Sequence, residues 1–239
     1  MPNPWAYFAT HNIDTIPCVL PQDKLKIQEI QNRLQKSTKK EEIELHWDLF
    51  PEPFIGMTDA PIVFLGLNPG FNQTDPDWHK NSVMREAVIA NLIEAPRPCP
   101  FYPLDPALAG SAIAKWWKLV LDPWLSGNNI RRSRVAERIL AIELFPYHSQ
   151  KFGVRLPEIQ KLPSHPYTQA LVRDAMNRKA LLLILRSQQL WQKAIPELNH
   201  YPHVYHLTGS GRQVSLKHPT GHVGQCYDER AAKIFIRAL

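Results

Sequence analysis

Apolar residues along the chain follow two alternating patterns, which predict strands and helices. Short apolar runs bounded by Pro, Gly or polar residues are typical of buried strands: Ile62–Leu65, Ile139–Phe145, Ala180–Leu185 and His203–Thr208. Other segments carry apolar residues at helical spacing: Asp23–Lys36, Asp77–Glu94, Ala107–Leu121, Pro166–Arg178, Gln188–Ile195 and Asp228–Leu239. This alternation predicts an α/β fold, a three-layer α/β/α arrangement around a central, mostly parallel four-stranded sheet.

Prolines, glycines and a serine predict where several elements begin or end. We expect Pro123 to end the helix that begins at Ala107, and Ser187 to cap the helix over Gln188–Ile195. Glu44–Gly56 mixes aromatic residues with two prolines, and we expect it to cover one edge of the core. A short return strand is expected over Gln213–Leu216.

Length and composition indicate a soluble globular protein. We expect residues 1–239 to form one domain, with an N-terminal helical or extended extension over about residues 1–50. No apolar stretch is long enough to span a bilayer, and the N-terminus lacks the features of a signal peptide, so the cytoplasm is the expected location. The three cysteines are far apart and form no Cys-x-x-Cys pair, which argues against disulfides and iron–sulfur clusters.

The charge balance is compatible with a nucleic-acid partner. Lys and Arg total 28 against 22 Asp and Glu, which gives a net charge of +6. Basic side chains that contact phosphates supply much of the affinity for nucleic acids. The signal is weak, because many basic proteins bind no nucleic acid.

Three loops follow predicted strands and carry candidate chemistry. Asn68 is the polar side chain in the loop Gly66–Gly70, and Glu143 to His148 follow the next strand. His218 lies beyond the last strand. Because ligands bind outside the carboxyl ends of parallel strands, we expect these loops to converge on one crevice. There, Asn and His side chains could position a water molecule and stabilise a developing anion.

Several common site motifs are missing from the sequence. There is no Gly-x-x-x-x-Gly-Lys-Ser/Thr loop for a nucleoside triphosphate, and no Gly-x-Ser-x-Gly nucleophile elbow. His200, His203 and His206 recur at intervals of three, but that spacing does not place ligands on one face of a strand. We therefore expect no metal site and no cofactor.

The loops that carry Asn68 and His218 resemble sequence motifs of the uracil-DNA glycosylase superfamily, especially of its mismatch-specific and single-strand-selective branches. Gly66-Leu67-Asn68-Pro69-Gly70 resembles the first motif, and His218-Pro219-Thr220-Gly221 is similar to the second. Between them, Ile142–Pro146 falls where the family has a strand that ends in Asn-Leu-x-Pro. The resemblance spans roughly Pro51 to the C-terminus, and the motifs occur in the family's order.

The resemblance implies a monomeric DNA-repair hydrolase that flips a damaged base out of DNA. Asn68 would position the hydrolytic water, and His218 would hydrogen-bond an oxygen of the departing base. Phe71, or an aromatic ring of the Phe101-Tyr102 loop, would stack on the base. The further residues implied in binding the base or the nucleic acid are Gly66, Leu67, Pro69, Gly70, Glu143, Phe145, Pro219, Thr220 and Gly221.

One departure from the family pattern leaves the substrate open. Glu143 stands where the family has the Asn that reads uracil. An ionised Glu only accepts hydrogen bonds, so it would repel uracil O4. Glu143 could instead form a structural salt bridge under a shifted alignment, it could change the base that is recognised, or it could accompany loss of activity. A nucleic-acid-binding protein of the same fold without catalysis, or an unrelated α/β hydrolase of small molecules, would also fit.

Overall fold

A computed structural model describes residues 1–10, 18–128 and 131–206, with side chains of 122–128 not described. Three predicted features lie outside this part of the chain: the return strand over Gln213–Leu216, the His218–Gly221 motif and the helix over Asp228–Leu239. The end of the strand expected over His203–Thr208 also lies outside, from Leu207 onward.

The described chain folds around one five-stranded sheet. The strands are β1 Phe54–Gly56, β2 Ile62–Gly66, β3 Ile139–Glu143, β4 Leu181–Ile184 and β5 Val204–His206. Their spatial order is β1-β3-β2-β4-β5. All pairs are parallel except β1 with β3, which is antiparallel. The α/β class and the mostly parallel sheet are therefore confirmed, and β2 lies at its centre.

The expected number of strands was wrong, because Phe54–Gly56 adds an antiparallel edge strand. This strand has only three residues, all buried, and it follows directly on a proline. Its Gly56 has a φ of 105°, and a Cβ there would collide with the carbonyl oxygen of Ile139. A segment this short carries no alternation of apolar and polar residues, and its pairing depends on distant β3.

Ten α-helices occur in the described part of the chain. They are α1 Tyr7–Thr10, α2 Lys24–Leu34, α3 Lys40–Ile43, α4 Asp75–Lys80, α5 Ser82–Leu92, α6 Ala112–Asn128, α7 Arg132–Ala136, α8 Leu156–Ile159, α9 His165–Asn177 and α10 Gln188–Ala194. Short 3-10 turns cover Pro4–Ala6, Tyr102–Leu104, Pro106–Leu108 and Pro196–His200. No helix among the described residues is long and apolar enough to cross a membrane.

Two helix predictions differ from the structure. The single helix expected over Asp77–Glu94 is split, because the Asn81 side chain accepts from the backbone N–H groups of Val83 and Met84 and starts α5. Helix α6 begins at Ala112 and continues past Pro123 to Asn128. Proline disfavours a helix interior without prohibiting it: it removes one backbone hydrogen bond and its ring clashes with the preceding turn, which together cost about 3 kcal/mol.

The expected serine cap of α10 was also wrong. Ser187 adopts a left-handed backbone conformation, with a φ of 58°, and its side chain makes no capping hydrogen bond. A capping residue ordinarily has extended backbone geometry, which directs its side-chain oxygen to the first N–H groups of the helix. The helix nevertheless begins at Gln188, as predicted.

The hydrophobic core unites the sheet with the N-terminal segments. Strand β2 is fully buried along its length, and Phe64 packs edge-on against Trp117 at 5.2 Å between ring centroids. Trp5 and Ile27, both completely buried, belong to the same apolar cluster. The N-terminal segments therefore contribute directly to the core that supports β2.

Candidate functional site

The loops that follow β2 and β3 are joined by hydrogen bonds beyond the ends of the strands. The Phe145 N–H donates to the Leu67 carbonyl oxygen at 2.9 Å, and the Ser149 N–H donates to the Pro69 carbonyl oxygen at 3.3 Å. These bonds continue the parallel pairing in which Gly66 lies opposite Glu143. The Asn68 loop is thus fixed to the loop after β3, as expected for a site at the carboxyl ends of neighbouring strands.

The Asn68 side chain is partly buried and is held by its amide nitrogen. Its Nδ2 lies 3.0 Å from the Ser149 hydroxyl oxygen and 2.8 Å from the Pro69 carbonyl oxygen. Both hydrogens of the side-chain amide are directed to these acceptors. The side-chain oxygen of Asn68, Oδ1, therefore remains as a hydrogen-bond acceptor. This orientation suits a group that accepts a hydrogen bond from a water molecule.

Gly66, at the end of β2, is packed between two side chains. The Trp191 indole N–H donates to the Gly66 carbonyl oxygen at 2.7 Å, and Trp191 is completely buried. On the other side, a Cβ at Gly66 would collide with the carboxyl group of Glu143. Glycine at this position therefore allows the Glu143 carboxyl to lie directly over the end of β2.

The Glu143 carboxyl is in an unfavourable place for a negative charge. Its Oε2 is shielded from solvent and has no hydrogen-bond partner among the described residues. Burial and, to a smaller extent, the nearby Glu52 carboxyl raise the pKa of Glu143 to about 8, against the opposing effect of Arg186. A pKa in this range favours the protonated form of Glu143 at neutral pH, whereas the sequence argument considered the ionised form.

His148 connects the Asn68 loop to the segment that precedes β1. One of its ring nitrogens, Nδ1, lies 2.7 Å from the Gly70 carbonyl oxygen, and Nε2 lies 2.9 Å from the Phe50 carbonyl oxygen. Burial lowers the pKa of His148, whereas these carbonyl groups and Asp75 raise it. A neutral ring donates to one carbonyl at a time, and a protonated ring donates to both.

Glu52 and His79 lie next to His148 and are equally buried. The Phe50 N–H donates to His79 Nδ1 at 3.1 Å, and the Tyr102 hydroxyl donates to Glu52 Oε1 at 2.8 Å. Burial lowers the pKa of His79 to about 3 and raises the pKa of Glu52 to about 7. His79 is therefore held in its neutral form near neutral pH, and Glu52 is partly protonated there.

Glu52, His79 and His148 form the one group of three potential metal ligands found in the described residues, with ligand atoms within 4.8 Å of one another. Their hydrogen bonds do not suit a metal. Both ring nitrogens of His148 face carbonyl oxygens. His79 Nδ1 already accepts a hydrogen bond from the backbone N–H of Phe50, so its lone pair is in use. A metal ion would have to displace these bonds. His200, His203 and His206 are not part of this group.

Phe71 is partly exposed and stacks on His46. The two rings are nearly parallel, at an interplanar angle of 5°, with centroids 3.4 Å apart. The His46 backbone N–H also donates to the His148 carbonyl oxygen at 2.9 Å. Burial lowers the pKa of His46, which favours the neutral ring for stacking. The pair forms an aromatic surface beside the loop of Asn68.

The structure brings some expected site residues together and assigns others to the core. Asn68, its flanking residues, Phe71 and Glu143 meet at one end of the sheet. Phe145 is completely buried and packs against Tyr147 at 5.5 Å between centroids. Phe101 and Tyr102 are also buried, so the stacking role considered for their loop is not available to a base. His218, Pro219, Thr220 and Gly221 lie outside the described residues.

A separate cavity of about 440 Å³ lies away from Asn68. Its lining includes Pro98, Pro103, Leu104 and Lys118. It shares no residue with the loops after β2 and β3, so it does not extend the candidate site.

Four residues near the site were not identified from sequence. His46, Glu52, His79 and Ser149 come from separate segments and share no motif. The sole available signal was that Ser149 follows β3 by a few residues, at the expected edge of the sheet. The contacts of the other three depend on tertiary packing.

No protein-family model, curated protein or solved structure matches this chain. The chemistry of the site is therefore inferred from its own residues. They combine an oriented amide oxygen, a carboxyl group whose pKa is raised by burial and an aromatic surface at the carboxyl ends of parallel strands.

Proposed function

We propose that this protein is a DNA-base glycosylase, which hydrolyses the N-glycosidic bond of uracil or another damaged base. The observation that carries the proposal is the Asn68 side-chain amide, which is held by hydrogen bonds to Pro69 and Ser149 just after β2. These bonds leave its side-chain oxygen as an acceptor. The resemblance of Gly66–Gly70 to the first motif of the uracil-DNA glycosylase superfamily supports it. The family's three-layer architecture, a monomeric state and a cytoplasmic location belong to the same proposal.

In the proposed reaction, Asn68 accepts a hydrogen bond from a water molecule and directs the water's oxygen to C1′ of the deoxyribose. The bond between C1′ and the base nitrogen breaks through an oxocarbenium-like sugar, and its electron pair leaves with the base. The water adds its hydroxyl to C1′, and its proton neutralises the base anion. His218, from the second motif, would stabilise that anion by a hydrogen bond.

The Phe71 and His46 rings provide the surface for a flipped base in this proposal. Stacking between a base and an aromatic side chain is worth about 1–3 kcal/mol. That energy offsets part of the unstacking cost, which is a few kcal/mol. The net charge of +6 supports association with the DNA backbone.

The test is release of uracil from oligonucleotides that carry one such base, detected by alkaline cleavage at the abasic site. We expect Asn68→Ala to lower the rate at least about a hundredfold, since it removes the group that orients the water. Ser149→Ala should cause a smaller loss of about fivefold to tenfold, as expected for one positioning hydrogen bond. Asn199→Ala is the matched control, because Asn199 is an exposed asparagine on the turn Pro196–His200.

Cleavage that persists in Asn68→Ala would contradict the role given to this residue. If the wild-type protein releases no base from uracil or a panel of other damaged bases but still binds the oligonucleotides, the protein binds nucleic acid without catalysis. Such binding should weaken steeply with added salt.

A further inference from the structure

The cavity of about 440 Å³ lies towards the opposite end of the sheet from Asn68. Part of its wall, formed by Arg132 and Ser133, belongs to α7, which leads into the amino end of β3. Asn68 instead follows the carboxyl end of β2, and β2 and β3 run parallel. The cavity is therefore separate from the proposed glycosylase site, and its own lining must explain what it can bind.

Short apolar side chains form most of the cavity wall. They come from the loop between α5 and α6 and from α6 itself: Pro98, Pro103, Leu104, Pro106, Ala109 and Ala114. Proline and alanine side chains have almost no rotamer freedom, so they cannot rearrange to fill the space between them. The volume also falls within the range of about 300–1,000 Å³ that is usual for small-molecule sites. These walls suit a rigid apolar body such as an aromatic ring system.

Hydrogen bonds and ring packing hold the wall segments in place. The Phe101 N–H donates to the Ala136 carbonyl oxygen at 3.2 Å, which ties the loop to the end of α7. The Phe101 ring packs edge-on against Trp117 of α6, with centroids 4.8 Å apart. Just before α6, the Ser111 hydroxyl donates to the Leu108 carbonyl oxygen at 2.8 Å. The cavity is therefore preformed, and binding requires little further ordering of the protein.

The charged groups in the lining favour an anion. Lys118 and Arg132 are exposed, and each contributes a positive charge. The acid in the described lining, Asp105, is already paired with Arg97 at 3.3 Å. Its other carboxyl oxygen accepts from the Ala107 N–H at 3.0 Å. Because Arg97 offsets the charge of Asp105, the lining keeps a positive balance.

Two further polar side chains line the cavity without adding charge: Cys99 and Ser133. Burial raises the pKa of the Cys99 thiol to about 11, so the thiol stays protonated at neutral pH. Its Sγ lies 3.4 Å from the Phe101 carbonyl oxygen. The Ser133 hydroxyl can donate a hydrogen bond to an acidic group. Neither side chain therefore opposes the binding of an anion.

We propose that this cavity binds a small amphipathic organic anion, in which an aromatic body carries one carboxylate, sulfonate or phosphate group. The aromatic body lies against the prolines and alanines of the wall, and the acidic group faces Lys118 and Arg132. An inorganic anion would lack the apolar contacts, and a neutral aromatic molecule would lack the charge pairing. The proposal does not rest on the glycosylase function, because the cavity shares no residue with the loop of Asn68.

The experiment is titration of the full chain with 8-anilinonaphthalene-1-sulfonate, followed by fluorescence and by calorimetry. N-phenyl-1-naphthylamine is the matched neutral probe, because it has the same rings without the sulfonate. We expect saturable binding of the sulfonate at one molecule per chain. Added salt should weaken binding of the sulfonate and leave the neutral amine unchanged, since screening acts on the charge.

Variants of the cavity separate the charge from the shape of the site. Lys118→Gln and Arg132→Gln should each weaken binding of the sulfonate about threefold to fivefold and leave the neutral amine within about twofold, as expected for exposed charges. Lys115→Gln is the matched control, because Lys115 is an exposed lysine of α6 that is not among the described residues of the lining. Ala109→Leu should weaken both probes at least about tenfold, because its larger side chain fills space in the cavity.

The position of the bound probe gives a measurement that does not depend on variants. Nuclear Overhauser contacts should link the rings of the bound sulfonate to the methyl groups of Leu104 and Ala109. Their absence, or a lack of saturable binding, would overturn the proposal. Equal weakening of both probes in Lys118→Gln would also overturn it, since the lysine would then act on the shape of the cavity. Ala109 is exposed, so Ala109→Leu should fold, and wild-type affinity in that variant would place the probes elsewhere.

Discussion

At the scale of single residues, the site is dominated by buried acids that favour the neutral form. Burial raises the cost of ionising both Glu52 and Glu143, and the nearby Glu52 carboxyl adds to this cost at Glu143, because like charges in a region of low dielectric repel. The Tyr102 hydroxyl donates to Glu52 and partly offsets this cost. The folded state therefore holds protons that the unfolded chain releases, and stability depends on pH.

Glu52→Gln should have a higher free energy of unfolding than wild type, and this difference should grow as pH increases. The folded-state pKa of Glu52 is about 7 against an ordinary value of 4.5. Its contribution is thus fully present below pH 4.5 and is lost as pH rises through about 7. Glutamine keeps the acceptor for Tyr102 and does not titrate, so the difference should reach on the order of 3 kcal/mol above about pH 7.

Urea denaturation of both proteins at about pH 4 and about pH 8 checks this prediction. Glu29→Gln is the matched control, because Glu29 is an exposed residue on α2 whose side chain pairs with Lys26 at the surface. Curves for Glu52→Gln and wild type that keep the same separation at both pH values would show that Glu52 ionises normally in the folded protein.

At the scale of elements, the site depends on how α10 and β3 hold the end of β2. Gly66 is the last residue of β2, and the Trp191 indole N–H on α10 donates to its carbonyl oxygen. On the opposite side, β3 places Glu143 over Gly66. The loop that begins here and carries Asn68 therefore starts from a point that is fixed by two neighbouring elements.

Trp191→Phe should lower the free energy of unfolding by about 1–3 kcal/mol. It leaves the buried Gly66 carbonyl without its donor, which costs the desolvation of that group. Urea denaturation measures the change, with Trp116→Phe as the control for loss of a partly buried indole on α6. An equal or smaller effect at Trp191 than at Trp116 would show that the hydrogen bond to Gly66 does not contribute.

The sequence predicted the elements whose signals are local, and it failed where distant contacts decide. The apolar run Ile62–Leu65 and the Pro and Gly residues after it were sufficient to place β2 and the Asn68 loop. Strand β1 was missed because three residues that follow a proline and end in a glycine show no periodicity. The pairing of Asn68 with Ser149 and the raised pKa of Glu143 depend on packing across the sheet, which no local pattern encodes.

At the scale of the whole molecule, the N-terminal residues form part of the support for the site. The Asp23 carboxylate accepts hydrogen bonds from the Tyr147 hydroxyl at 2.9 Å and from the Ser164 N–H at 3.0 Å. Trp5 packs against the same Tyr147, with ring centroids 6.2 Å apart. Tyr147 directly precedes His148, so the N-terminal segment stabilises the loop that holds Asn68 in place.

Trp5→Ala tests whether the N-terminal segment is part of the same cooperative unit. Trp5 is completely buried, and removing a buried Trp side chain costs about 3–5 kcal/mol through lost burial and the remaining cavity. Leu25→Ala is the matched control, because Leu25 is 76% exposed and its truncation should change stability by less than about 0.5 kcal/mol. If the two variants unfold at the same urea concentration, the N-terminal segment packs on the core without stabilising it. A single transition shifted only in Trp5→Ala would instead show that the segment and the sheet unfold together, so that damage at the N-terminus reaches the Asn68 site.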